Sequence, residues 1–263
     1  MGGGDSTVLF ELMRELNFKF VPFLCDTGIR INDTVEFVKK RCADTNLPLI
    51  IETPTYKSYD EMVMQFGFPG APQHIQMYSN LKEKSIRKIC SRYQGKKLII
   101  TGVRNSESAR RKRNAIKEID KRGNQIWVSP IIHWDDDDKE EYIDTRGIVL
   151  NEVSRKIGIS GDCLCGAYAL PGELDKIKKF YPDAAQRIID LQARVIAKGF
   201  TWKWDDPKPS EKEYLEVMET IYPGYKQRTL QKRIEKMRKK SGQQDLFSPL
   251  CAKCEYKNQN IKS

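Results

Sequence analysis

Apolar residues recur at helical spacing directly after a run of glycines. Gly2, Gly3 and Gly4 are followed by Asp5 and Ser6, and then by apolar residues at positions 8, 9, 12, 13 and 16. Steps of three and four residues place those side chains on one face of an α-helix, and Asp or Ser commonly caps such a helix. The pattern therefore predicts a glycine turn that opens a helix.

Short apolar runs alternate with helical patterns through the first half of the chain. Strands are predicted at 18–24, 48–52, 98–103 and 126–129, and helices from 32–34 onward and at 79–93, 137–143 and 145–157. Alternation of this kind is typical of a parallel sheet. From Glu173 onward the pattern is helical, with a turn or linker predicted at 205–210. We therefore expect a doubly wound, mostly parallel α/β sheet with a helical C-terminal part.

Composition and charge narrow the class of protein. The chain has 263 residues, of which 39% are hydrophobic, and this is enough for a sizeable core. It contains no apolar run of about 18 residues and no secretory pattern, so we expect a cytoplasmic protein without a membrane partner. The formal net charge of +10 suits a phosphate-rich ligand or partner, but it does not choose between a nucleotide and nucleic acid.

The glycine turn has a direct chemical use. Successive glycines allow backbone N–H groups to converge on an anion, and the N-terminus of the following helix adds partial positive charge. Phosphate is the ligand that such a turn favours. Three glycines are equally consistent with an ordinary glycine-rich start, so the turn alone leaves both interpretations open.

Four motifs, in order, resemble those of the phosphoadenosine-phosphosulfate (PAPS) reductase and ATP-pyrophosphatase superfamily. The resemblance covers about residues 2 to 170. The motifs are Gly2-Gly3-Gly4-Asp5-Ser6, similar to the end of a Ser-Gly-Gly-x-Asp-Ser loop; Asp26-Thr27-Gly28; Gly102-Val103-Arg104 with Glu107-Ser108, similar to a Gly-x-Arg-x-x-Glu-Ser signature; and Pro130 to Trp134, similar to a Pro-x-x-x-Trp segment.

This resemblance implies an enzyme that binds ATP, PAPS or adenylyl sulfate in a nucleotide-binding domain at 1–159. The phosphates would lie on Gly2 to Ser6, and magnesium is expected if the substrate is ATP. The implied nucleotide-binding residues are Gly2, Gly3, Gly4, Asp5, Ser6, Asp26, Thr27, Gly28, Gly102, Arg104 and Glu107, and the implied catalytic residues are Asp5, Ser6 and Arg104.

The sequence departs from the family pattern in two places. Met1 stands where the family has the first serine of the loop, so the strand that normally precedes the loop is expected to be missing. The Glu-Cys-Gly-x-His segment of true PAPS reductases does not occur in the sequence, and neither does the adjacent cysteine pair of adenylyl-sulfate reductases. Simple sulfate-assimilation chemistry is therefore disfavoured.

Two close cysteine pairs indicate a metal site. The chain has seven cysteines and no export signal, which favours thiols or metal ligands over disulfides. Cys163 and Cys165 with Cys251 and Cys254, all within a helical region predicted at 160–263, supply four thiolates, enough for zinc or an iron–sulfur cluster. The segment 160–166 resembles the cysteine loop of phage, archaeal and DNA-phosphorothioation relatives, and this favours a 4Fe-4S cluster over zinc. The alternative interpretation is that these cysteines are only small buried hydrophobic residues.

A strongly basic helix is predicted at 226–240, with apolar residues at 230, 234 and 237. Its lysines and arginines form either a solvated face or a contact with nucleic-acid phosphates. The leading hypothesis is cleavage of a phosphate linkage of an adenine nucleotide, in sulfur transfer or nucleic-acid modification. The alternatives are a PAPS or adenylyl-sulfate reductase and a non-catalytic nucleic-acid-binding subunit, and the oligomeric state is left open.

Overall fold

The computed structural model describes residues 2–107 and 117–241, with side chains as far as residue 237. The chain divides into two units, Met1–Lys208 and Pro209–Ser263. This division falls inside the turn predicted at 205–210 and after the boundary expected between 159 and 160. The reason is that the segment 160–166 is hydrogen-bonded into the first unit.

Helices and short strands alternate in the first unit. The helices of the whole chain are α1 Gly4–Glu15, α2 Asn32–Asp44, α3 Tyr59–Phe66, α4 His74–Tyr78, α5 Lys84–Ser91, α6 Asp136–Arg146, α7 Glu152–Ile157, α8 Glu173–Phe180, α9 Pro182–Ala197, α10 Glu211–Ile221 and α11 Tyr225–Ser241. A π-helical turn, Ser79–Glu83, joins α4 to α5. The strands are β1 Phe23–Cys25, β2 Ile50–Glu52, β3 Lys97–Ile100, β4 Ile119–Arg122 and β5 Gln125–Val128.

Parallel pairing dominates, as the alternation predicted. Strand β1 runs parallel to β2, with Phe23 opposite Ile50, and β3 runs parallel to β5. Strand β4 joins β5 in the antiparallel direction through a turn at Gly123. The α/β class and the helical C-terminal part are confirmed. Strand β4 was not predicted, because its sequence is mostly polar and largely exposed.

The described strands form two sheets, and their facing edges line one groove. The groove has a volume of about 870 Å³ and is bordered by β1 and β3. Helices α1 and α5 contribute apolar side chains to its walls. Cys25 of β1, Ile86 of α5 and Ile99 of β3 belong to one buried cluster, so α5 packs against both sheets.

Helix α1 is buried on two sides. Val8 packs with Ile143 of α6, whereas Phe10 packs with Val38 of α2. This burial fixes the direction of α1 and therefore the position of the glycine turn that precedes it.

The helix predicted at 145–157 is interrupted. Helix α6 ends at Arg146 and is capped by Gly147, which has φ +58°. Helix α7 begins after Asn151, whose side chain accepts a hydrogen bond from the Val153 N–H. A left-handed glycine and an asparagine cap are standard stop and start signals, and they outweigh the apolar spacing in this segment.

The second unit, as far as it is described, is a pair of helices with defined ends. Ser210 and Glu213 form a capping box at the start of α10. The carboxylate of Glu219 accepts hydrogen bonds from the N–H groups of Gly224 and Lys226, which fixes the turn into α11. In the described part of the chain, no helix is both long enough and apolar enough to span a membrane.

Replacement of Gly67 by alanine is expected to destabilise the fold by about 3 kcal/mol or more. Gly67 ends α3 with φ +75°, and a Cβ there would overlap Trp202 and lie 2.8 Å from Phe200 Cδ1. Gly95→Ala is the matched control: its φ is +70° but nothing lies within 4 Å of the added carbon, so strain alone should cost about 1–2 kcal/mol. Urea unfolding measures both changes. Equal losses would show that the Trp202 contact is unimportant.

Candidate functional site

The glycine turn leads into α1 as the sequence predicts. Gly3 precedes the helix in an extended conformation and has no side chain that could accept hydrogen bonds from the first turn. The hydroxyl of Ser6 donates to the carbonyl oxygen of Gly3 at 3.0 Å, which closes the turn. The N–H groups of a first helical turn have no partner within the helix, so this end of α1 is suited to an anion.

Two glycines allow the turn to pack closely against neighbouring segments. A Cβ at Gly102, just beyond β3, would lie 2.8 Å from the backbone oxygen of Asp5. A Cβ at Gly2 would overlap Thr34 and lie 3.1 Å from Asp162 Oδ1. The turn is therefore held between the carboxyl end of β3 and the segment that carries Asp162.

Arg104 is buried and holds the turn from one side. Its Nε donates to Asp5 Oδ1 at 2.9 Å, and its Nη2 donates to Asp136 Oδ1 at 2.9 Å. Its Nη1 donates to the backbone oxygen of Asp135 at 2.7 Å and to Ser106 Oγ at 2.9 Å. The side chain is only 3% exposed. The structure thus brings Asp5 and Arg104 together, with the guanidinium directed at protein atoms.

Glu107, another predicted site residue, lies in an exposed turn soon after Arg104. The acids that hold the guanidinium are Asp5 and Asp136. Hydrogen bonding to Arg104 lowers the pKa of Asp136, so this carboxylate stays ionised beside it.

The second motif follows β1. The Asp26 carboxylate accepts a hydrogen bond from the Gly28 N–H at 2.9 Å and also pairs with Arg30. Gly28 has φ +75°, which favours glycine. The Thr27 hydroxyl lies 3.2 Å from the Ile29 carbonyl oxygen and 3.4 Å from that of Asp162. These contacts join the motif to the cysteine loop.

The cysteine loop, residues 160–166, is fastened at several backbone positions. The Leu164 N–H donates to the Ile29 carbonyl, and the Trp204 indole N–H donates to the Leu164 carbonyl at 2.8 Å. The Tyr59 hydroxyl donates to the carbonyl oxygen of Cys165 at 3.0 Å. Loop backbone fixed from three directions presents its side chains in a defined arrangement.

The two thiols of this loop lie within hydrogen-bonding reach of each other. Their interaction lowers the pKa of Cys165 and raises the pKa of Cys163. In residues 2–107 and 117–241, no group of three or more potential metal ligands occurs. Cys251 and Cys254 lie outside the described residues, so the four-thiolate site stays a prediction.

Lys82 is a candidate site residue that sequence reasoning missed. It lies in the π-helical turn, and its Nζ is 3.4 Å from Asp162 Oδ2. Ser6, Gly102, Lys82 and Asp162 all line the groove between the sheets. Burial lowers the pKa of Lys82, but the negative charge of Asp162 and the hydrogen bond to its carboxylate act in the opposite direction, so the pKa is raised and the ammonium stays charged.

The sequence did carry a weak signal for Lys82. Leu81, Ser85 and Ile86 are buried, so Lys82 sits on the border of the buried face of a helix that otherwise reads as basic. A π-helical turn often marks a functional position, but it changes which side chains share a face and cannot be predicted from spacing.

A match to a family model agrees with the motifs. Residues 1–160 match the family model described as the phosphoadenosine phosphosulfate reductase domain. An uncharacterized protein of Methanocaldococcus jannaschii is 27% identical over 227 residues, which are 83% of this chain and 54% of that protein. The chain therefore spans about half the length of this curated relative. A phosphoadenylyl-sulfate reductase of Candida auris, solved as a phosphate complex, is 18% identical with a TM-score of 0.42, over 58% of this chain and 73% of that one. Because the family model matches more than half of the sequence, the chain belongs to the phosphoadenosine phosphosulfate reductase family.

Proposed function

We propose that this chain binds an adenine nucleotide, namely ATP, PAPS or adenylyl sulfate, and cleaves a phosphate linkage in sulfur transfer or nucleic-acid modification. The observation that carries the proposal is the convergence of three features on one groove. The first turn of α1, the end of β3 at Gly102 and the ammonium of Lys82 all border it. Each of the three is suited to an anionic ligand or to its close approach.

In this proposal the phosphates bind the backbone N–H groups at the start of α1. Amides that already point at the ligand stabilise negative charge without reorganisation during the reaction. Lys82 adds a full positive charge. Its attraction for a departing phosphate group would grow as negative charge develops on that group. Ser6, whose hydroxyl is turned to Gly3, maintains the shape of the turn.

Arg104 acts as a positioning residue in this proposal. Its side chain holds Asp5 and α6 against the turn, and it is too enclosed to be the principal phosphate ligand. Magnesium would accompany ATP, since Mg²⁺ uses one or two carboxylates together with substrate phosphates. The carboxylate of Asp5 fits that role, because it lies at the turn and Arg104 uses only its Oδ1 oxygen among the described contacts.

The cysteine loop is proposed to hold a 4Fe-4S cluster or zinc with the second cysteine pair. Two cysteines that lie two positions apart in a loop with a fixed backbone are a suitable pair of donors for either metal. Cys163 and Cys165 would supply two ligands and Cys251 and Cys254 the other two. The metal would supply structural support or sulfur-handling chemistry, while the loop residues hold it beside Thr27 and Lys82.

Lys82→Met is expected to weaken nucleotide binding by roughly 10- to 150-fold, the effect of losing a charge-assisted contact. Isothermal titration calorimetry with ATP, PAPS and adenylyl sulfate measures the change. Lys40→Met is the control, since the Lys40 side chain is 76% exposed and pairs with Asp44 on α2. Equal affinity in the two variants, or no nucleotide binding at all, would contradict the proposal.

The same nucleotides separate the proposed reaction from its alternatives. Release of pyrophosphate or a nucleoside monophosphate from ATP supports phosphate-linkage cleavage, whereas release of sulfite from labelled PAPS supports a reductase. Binding without turnover of any of the three supports a non-catalytic subunit.

Arg104→Ala should destabilise the first unit by about 3–5 kcal/mol, because it leaves the partly buried Asp5 without its cation. Arg104→Lys should recover only part of this loss, since an ammonium cannot reproduce the divergent contacts of the guanidinium. Arg155→Ala, at a side chain that is 78% exposed and paired with Glu152, should change stability by no more than about 0.5 kcal/mol. Chemical denaturation followed by circular dichroism tests the ranking. A loss for Arg104→Ala no greater than that of the control would refute the positioning role.

Replacement of Cys163, Cys165, Cys251 or Cys254 by serine is expected to release the metal. Anaerobically purified protein should be brown, with absorbance near about 400 nm, if it holds an iron–sulfur cluster, or colourless with one zinc per chain. Cys90→Ser is the control, because Cys90 packs beside the apolar cluster of β1, α5 and β3. Full metal content after substitution at 251 and 254 would show that the tail contributes no ligand.

A further inference from the structure

A row of three aromatic rings lies on the surface beside the candidate site. The ring centroid of His74 is 4.9 Å from that of Tyr168 and 6.4 Å from that of Tyr78. Tyr168 is 46% exposed and Tyr78 is 36% exposed. We call Tyr168, His74 and Tyr78 the aromatic strip. The His74 ring pairs with each of the two tyrosines, and both tyrosines still present surface to solvent.

The aromatic strip connects the two chemically distinctive parts of the candidate site. Tyr168 follows Cys165 by three residues and lies just beyond the fastened cysteine loop. Tyr78 ends α4, directly before the π-helical turn that carries Lys82. Tyr78 also lines the groove. A flat ligand on the strip would therefore lie beside the segments that lead to Cys165 and to Lys82.

Positive charge lies along the same helices. The Nζ of Lys84 is 3.9 Å from the ring centroid of Tyr56, a side chain that is 67% exposed. The neighbouring acid, Glu83, is paired with Arg87 at 2.6 Å. The whole chain carries a formal charge of +10. Exposed rings interleaved with lysines are the combination that single-stranded nucleic acids require, since rings stack on bases and cations contact phosphates.

We propose that the aromatic strip stacks the bases of a single-stranded nucleic acid and holds that strand beside Lys82 and the cysteine loop. The strand's further role, as acceptor of the transferred group, rests on the proposed function. A protein partner fits less well, because the centres of protein interfaces are depleted of lysine. A duplex fits less well too, because its bases are stacked on each other and present only their edges.

The test is fluorescence anisotropy of the full chain with a labelled single strand of about 12 nucleotides and with the duplex of the same sequence. The single strand should bind more tightly. Tyr168→Ala and Tyr78→Ala should each weaken that binding by roughly 5- to 150-fold, the range for loss of one stacked base. Tyr168→Phe and Tyr78→Phe should retain it, because the ring face remains. Phe180→Ala is the matched control and should bind as the wild type does, because this ring is 41% exposed at the end of α8 and is not among the residues that line the groove.

A further variant separates the effect of charge on the second unit from the effect of the aromatic strip. Reversal of Lys232 and Lys236 to glutamate should lower the affinity for single strand and duplex alike, while the effect of Tyr168→Ala persists in that background. Equal losses for Tyr168→Ala and Phe180→Ala, equal affinity for single strand and duplex, or complete displacement of the strand by an equal concentration of AMP would overturn the proposal. The last of these outcomes would assign the strip to a free nucleotide.

Nucleotide calorimetry on the strip variants keeps the two proposals distinct. Variants that bind nucleotide normally but lose the single strand support both. A wild-type chain that binds the single strand through the strip but binds no nucleotide supports the strip and sinks the proposed function. If the wild-type chain binds nucleotide but not the single strand, only the proposal for the aromatic strip is contradicted.

Discussion

The contact of Arg104 with Asp5 determines how the candidate site is assembled. A guanidinium that is only 3% exposed needs acceptors for its N–H groups, and here they come from α1, from the turn after β3 and from the start of α6. These segments are far apart in sequence. Because an unpaired buried charge is costly, the need to satisfy Arg104 draws them together. The glycine turn then lies against Gly102, where any side chain would collide with the backbone of Asp5.

The cysteine loop is positioned by a second set of contacts, made mostly with backbone atoms. Its partners come from the motif after β1, from α3 and from the tryptophan-bearing segment after α9. Gly161 has φ +67°, and a Cβ there would lie 2.6 Å from Val153, so the loop also packs against α7. The two constraints meet at Asp162, which borders Gly2 on one side and pairs with Lys82 on the other. A ligand in this space is therefore adjacent to both sets.

Much of this arrangement could be predicted from local sequence. Glycines followed by apolar residues at helical spacing predicted the turn and α1. The short apolar runs predicted β1, β2, β3 and β5. Order along the chain also linked the motifs at Asp5, Asp26 and Arg104.

Tertiary partners were harder to infer. The sequence favoured Arg104 as a phosphate ligand, since a free guanidinium suits an anion, but its saturation by Asp5 and Asp136 depends on the approach of α6. The aromatic strip was not foreseen either, because Tyr168 lies 94 positions after His74, and only the packing of the loop on α4 brings their rings together.

The groove between the sheets explains why helices rather than strands carry so much of the site. Backbone hydrogen bonds set the spacing of neighbouring strands within a sheet, but among the described residues no ladder connects β1 to β3. Their relative position therefore depends on side-chain packing, in which α5 contacts both sheets through the cluster around Ile86. The same helical segment begins with the π-helical turn that carries Lys82 and is preceded by Tyr78. The packing of this one segment therefore sets the position of the sheets, the ammonium and one end of the strip together.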